Sequence, residues 1–216
     1  MKRIVSITAA LCALCAMLLS AFAPASAQNP GVGQIINSMV ASDTVRSYTA
    51  SVRADIAMHS FPFLSPTLEG TYYHKEPSKN KIVFTSGLPF IAKQFSKVYP
   101  ELESPANWLQ KYYVSIESQD GAFTMLKLVP RKHGRIDHID AKIANGTADL
   151  VQLRWNYNDG GYATLDQTYG LVEGHRLVTE QTGHFEVPHY NADLKSTFTA
   201  FKLNANIPDS VFADNG

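Results

Sequence analysis

Cysteine is nearly absent. Cys12 and Cys15 are the only two in 216 residues, and both fall in the apolar run at the N-terminus. A chain cut after that run has no thiol, which excludes a disulfide framework and a cysteine nucleophile. A lipid-anchored cysteine is not expected either, because too little apolar sequence precedes Cys12 and Cys15. Net charge is missing as well: 19 basic residues balance 19 acidic ones. Without Lys2 and Arg3 the balance is 17 to 19, a weakly acidic field that argues against nucleic acid. There are no internal repeats, linkers or low-complexity runs. Catalytic signatures are also wanting, with no Gly-x-Ser-x-Gly elbow and no phosphate-binding loop. Gly31-Val32-Gly33 follows no strand and meets no third glycine, so it is no nucleotide loop. No reaction and no cofactor is implied.

What is present begins with Lys2 and Arg3, an apolar run from Ile4 to Phe22, and Ala25-Ser26-Ala27. This order reads as a cleaved secretory signal over residues 1–27. The remaining residues 28–216 suffice for one domain with a real core, expected to be soluble outside the cytoplasm.

Val32, Ile35, Ile36, Met39 and Val40 share one helical face, so an amphipathic helix comes first. From Tyr48 to Met58, apolar Tyr48, Ala50, Val52, Ala54, Ile56 and Met58 alternate with Thr49, Ser51, Arg53 and Asp55. That is a half-buried strand. The same alternation returns over Leu68–Lys75, Lys81–Thr85, Lys111–Gln119, Ala122–Val129, Ile136–Ala144, Val151–Tyr157, Tyr162–Tyr169, Arg176–Val187 and Leu194–Leu203. Turns are marked by Glu76-Pro77-Ser78, Asp120-Gly121, Asn145-Gly146 and Asn158-Asp159-Gly160-Gly161. His59 to Pro66 is a loop. The fold class is therefore mainly β, one antiparallel sheet of about ten strands. Between Gly87 and Gln110 the alternation stops; Leu88, Ile91, Phe95 and Val98 fit a short helix, and Ser104-Pro105 fits an N-cap before a turn holding Trp108.

Two polar groups compete for attention. His184, Glu186 and His189 are the closest approach to a metal constellation, and His138 and Asp140 project together beside Asp137. Neither spacing matches a zinc site, and a solvated strand face explains both. No metal is expected.

The apolar stripe is more informative. Val52, Ile56, Tyr72, Phe84, Val114, Ile116, Leu153, Trp155 and Tyr157 form the core face of the sheet. Where one helix and a short insertion leave that face unfilled, the same residues line a lipid-sized pocket.

Glu69-Gly70-Thr71-Tyr72-Tyr73-His74-Lys75-Glu76-Pro77-Ser78-Lys79 resembles the glycine, aromatic strand, proline and basic turn of the LolA-type outer-membrane lipoprotein carriers. The order of signal, helix, Tyr48-Thr49-Ala50 strand, this hairpin and a close at Leu203-Asn204-Ala205-Asn206-Ile207-Pro208-Asp209-Ser210-Val211-Phe212 is similar too. The resemblance implies an incomplete antiparallel β-barrel capped by helices, working in the periplasm. Its hollow would receive a lipid, acyl chain or lipoprotein cargo, handed between membrane donor and acceptor proteins. Val52, Ile56, Tyr72, Phe84 and Trp155 would line that hollow, while Phe90, Ile91 and Phe95 would belong to its cover. One departure stands out: the carriers place an arginine before the hairpin proline, where this chain has Glu76. A relative binding another amphiphile fits that change. A protein-interaction or sensor module on the same sheet is the alternative, and an enzyme comes third.

Overall fold

The computed structural model describes residues 30–42, 45–61, 63, 65–76, 79–85, 104–188 and 190–213. The elements named below belong to one compact unit, Gly31–Gly216. Residues 1–27, Pro77, Ser78, the Leu88–Val98 helix with Phe90, Ile91 and Phe95, and His189 lie outside the described residues.

Helix α1 is Val32–Ser42, and it buries Ile35, Ile36 and Met39. Val40, expected on the same face, is 43% exposed. It lies about 100° round the helix from Met39, at the rim of the buried arc. The ten strands are β1 (Ser47–Met58), β2 (Thr67–Lys75), β3 (Lys79–Phe84), β4 (Tyr112–Gln119), β5 (Phe123–Pro130), β6 (Ile136–Ala144), β7 (Leu150–Tyr157), β8 (Tyr162–Val172), β9 (His175–Val187) and β10 (Tyr190–Leu203). Before β4, a 3-10 turn over Pro105–Asn107 runs into the single helical turn α2, Trp108–Lys111. Pro105 opens that turn as expected, but Ser104 makes no capping hydrogen bond through its side chain.

All ten strands form one antiparallel sheet in the order β3-β2-β1-β10-β9-β8-β7-β6-β5-β4. The last strand returns to pair with the first, Val52 opposite Phe198 and Ile56 opposite Leu194. The two edges are thus β3 and β4, consecutive in the chain and joined only through residues 85–111. The sheet stays open.

Several strands run longer than their alternation announces. β8 and β9 extend to a two-residue turn at Glu173 and Gly174, with φ of 49° and 85°. Both values belong to the tight hairpin turn that follows strand twist. In β10, Ala200 and Phe201 face Ala50 alone, a bulge with Ala200 at φ 49°. Bulges bend a strand and sharpen its twist.

The chain's end is tied to the β2–β3 hairpin. Lys75 Nζ donates to Ile207 O at 3.0 Å and to Asp209 Oδ1 at 2.7 Å, while Lys79 reaches Asp209 at 3.1 Å. The hydrogen bonds from Lys75 and Lys79 hold the Asp209 carboxyl below the usual carboxylate range.

Candidate binding face

Strand register decides which side chains share a face. Val52 stands opposite Gly70 and Phe198, Gly70 opposite Phe84, and Ala50 opposite Tyr72. At the far side Trp155 pairs with Ile139 and Ala163, Leu153 with Ala141 and Leu165, Ile116 with Leu126, and Val114 with Leu128. Successive side chains alternate between faces, so the predicted strand residues all project to the inner side. They do not, however, share one environment.

The largest cluster contains Ile35, Ile36 and Met39 of α1, Trp108 of α2, and β5–β9 residues including Leu126, Leu153, Trp155, Tyr157 and Phe185. Val114 packs at its margin. Leu153, Trp155 and Tyr157 thus share a cluster with residues of α1 and α2, at 4%, 3% and 6% exposure. Ile116, near the open β4 edge, is 37% exposed.

Across the sheet the picture differs. Ile56 clusters with Ala54, Met58, Leu68 and Ala192, with Phe84 half-buried against them. Val52 clusters with Ala50 and Phe198, joined by Tyr72, Val178 and Phe201. Among the described residues, every one of these belongs to a strand. The Tyr72 ring meets Phe198 edge-on at 5.5 Å, and its hydroxyl donates to Asn80.

A polar row crosses the inner face between these regions. Gln167 is opposite Gln181, and Gln181 is opposite Ser196. Gln167 and Ser196 are buried at 8% and 5% exposure. Sequence reasoning passed over this row, although Gln167 occupies an inner position in the run Ala163, Leu165, Gln167. A glutamine where alternation calls for an aliphatic was the available signal.

The outer face carries the titratable groups. His59 Nε2 and His184 Nδ1 each donate to Asp193 at 2.7 Å. Those bonds, with His184 first, lower the Asp193 pKa. Glu186 lies 3.8 Å from His184 Nε2, and its hydrogen bond with Tyr162 raises the phenol. His138 stands 3.6 Å from Asp140 and 2.6 Å from Asp137. A groove of about 670 Å³ beside them is lined by Asp55, Thr67, Thr164, Asp166, His184 and Asp193 among others. Among the described residues no group of three His, Cys, Asp or Glu side chains is placed to hold a metal. No helix among the described residues is long and apolar enough to cross a membrane.

An open antiparallel sheet with an apolar inner face and a helix laid on half of it defines a half-barrel class of fold. That fold is LolA-like. It matches a DUF1329 family protein from Desulfovibrio piger with TM-score 0.63 and 12% identity, covering 83% of this chain and 94% of that one. A protein described as an outer-membrane lipoprotein-sorting domain, from Vibrio parahaemolyticus, gives 0.63 and 11%, covering 86% and 97%. A LolA-superfamily protein from Nitrosomonas europaea gives 0.61 and 11%, covering 87% and 99%. Identities this low show the fold alone. No protein-family model matches the chain, and no curated protein matches it.

Proposed function

We propose that this chain, after loss of a signal at residues 1–27, is a periplasmic carrier or binding protein. The remaining residues 28–216 act as one domain that holds an acyl chain, or another lipid or lipoprotein group, against its inner face and releases it without covalent chemistry. One observation carries the reading. α1 and Trp108 share a cluster with the β5–β9 half of the inner face, whereas among the described residues the clusters around Ile56 and Val52 consist of strand residues only. That second half offers apolar side chains to a guest. They are withdrawn from water, Val52 at 3% and Ile56 at 6%, so a guest must part what packs on them.

The energetics suit a reversible carrier. Burying a methylene contributes about 0.8 kcal/mol, so ten of them contribute about 8 kcal/mol before the cost of opening and association. The remainder corresponds to weak or moderate affinity, which allows handover to an acceptor. Glu76 lies exposed at the hairpin end, its backbone N–H donating to Arg46 O at 2.8 Å. The carboxylate in place of the carriers' arginine favours a different amphiphile.

The test is native purification from the periplasm followed by mass spectrometry of extracted ligand, with titration of a fluorescent acyl probe. Stoichiometric acylated cargo, and loss of probe binding in a folded Ile56→Asp variant, are expected. An empty protein that rejects the probe overturns the proposal. A second reading is favoured by the β4 edge, where Tyr113 is 61% exposed and Ile116 37%. An exposed edge accepts an added strand from a partner. Probe-independent peptide binding that Tyr113→Lys abolishes would favour this interaction module over the carrier.

A further inference from the structure

We propose that Gln167, with Gln181 and Ser196 beside it, is a carbonyl-binding subsite that takes the ester or amide linkage of an acylated ligand. The inference rests on the acyl-binding reading and deepens it. Its origin is a single donor. The Tyr169 hydroxyl lies 3.0 Å from Gln167 Oε1 and 3.2 Å from Leu150 O, with one proton to donate between them, while Gln167 Nε2 is buried with no hydrogen-bond partner among the described residues. Only 8% of Gln167 is exposed. Buried donors in folded proteins are nearly always paired, so one left open on the inner face is suited to a group that arrives from outside.

Position defines the guest. Gln167 follows Leu165, which belongs to the cluster that includes α1, and the polar row continues through Gln181 to Ser196, next to Phe198 of the Val52 cluster. An amphiphile laid along the strands would place hydrocarbon on apolar residues and its linkage on the row. The donor is an uncharged amide, so a neutral ester or amide oxygen matches it, whereas a buried carboxylate would keep most of its desolvation cost.

The experiment compares two fluorescent amphiphiles of equal chain length, one an acyl ester and the other the corresponding alkyl ether, on wild type and Gln167→Met. Wild type should bind the ester about 10-fold more tightly, the scale of one well-made hydrogen bond in a dry site. In Gln167→Met that preference should fall to within about 2-fold, with ether binding kept and the thermal midpoint of the empty protein unchanged or raised. Equal binding of the two probes by wild type overturns the subsite without reference to any variant, and so does a preference retained in Gln167→Met. Binding of neither probe overturns the acyl reading itself, and the subsite with it.

Discussion

Replacing Trp155 with alanine separates a core residue from a pocket residue. Its side chain is 3% exposed, sits between Ile139 and Ala163 on neighbouring strands, and shares a cluster with Ile35, Ile36 and Met39 of α1. Truncating a buried tryptophan costs about 3–5 kcal/mol, from lost transfer free energy and the cavity left behind. Trp155 is at the upper part of that range where the surrounding cluster cannot settle, because α1 is held in it by three buried side chains at once. For a domain of this size about 1 kcal/mol moves the midpoint by roughly 2–4 °C, so the variant should melt roughly 6–20 °C lower. The assay is thermal and urea unfolding followed by circular dichroism, with acyl-probe titration on the fraction still folded. Probe affinity per folded molecule should stay within about 3-fold of wild type, a shift of well under 1 kcal/mol. A variant that melts normally but no longer binds the probe would refute the reasoning. Trp155 would then line the guest site and not the helix–sheet core.

Three further outcomes follow from local geometry. A Cβ at Gly70 would lie 2.5 Å from Val83 O and 2.9 Å from Phe84 Cα, so Gly70→Ala should push β3 outward at about 1–3 kcal/mol, the usual cost of overpacking. Hydrogen exchange should then accelerate across residues 79–84 with β7–β9 unchanged; unaltered exchange in β3 would count against that contact. Arg176 pairs with Asp149, whose side chain is only 7% exposed and also accepts from Thr147 at 2.7 Å. Arg176→Met strands that carboxylate, so the urea midpoint should fall, and an unchanged midpoint would count against the pairing. Asp193 has a folded pKa lowered by His184 and His59. Its stabilisation is therefore present above the unfolded aspartate value of about 3.9 and is lost as pH falls through the folded value. Asp193→Asn should lower the urea midpoint slightly at pH 6, by an energy under about 1 kcal/mol for such exposed partners, and the gap should close toward pH 3. A gap that is the same at both pH values would show that the carboxylate's charge is not involved.

Most of the sheet was legible because its inner face meets apolar side chains and its outer face meets water. The run Tyr48 to Met58 alternates for that reason, and so does Val151–Tyr157. Asn158-Asp159-Gly160-Gly161 marked its turn through Gly160 at φ 83°. Glu173-Gly174 was harder to see, since glutamate carries no turn signature; it adopts φ 49° because the paired β8 and β9 strands on either side hold it there. The His184 and Glu186 pair was legible as neighbours on one strand face. Asp193, the residue that ties His184 to His59, was not, because the contact joins residues 134 apart in sequence.

From the sequence alone came the strand count, the leading helix, the shared face of Val52, Ile56, Tyr72, Phe84, Leu153, Trp155 and Tyr157, and the resemblance to half-barrel carriers. A period of two states which side of the sheet a residue faces. It carries no information about what lies on that side. Only the tertiary structure placed β10 beside β1, put α1 in one cluster with Trp155 and not with Val52, and left Gln167 with an open donor beside Gln181. Those outcomes depend on which distant segments come to rest against each other, and pairings across the whole chain are decided by packing rather than by local pattern.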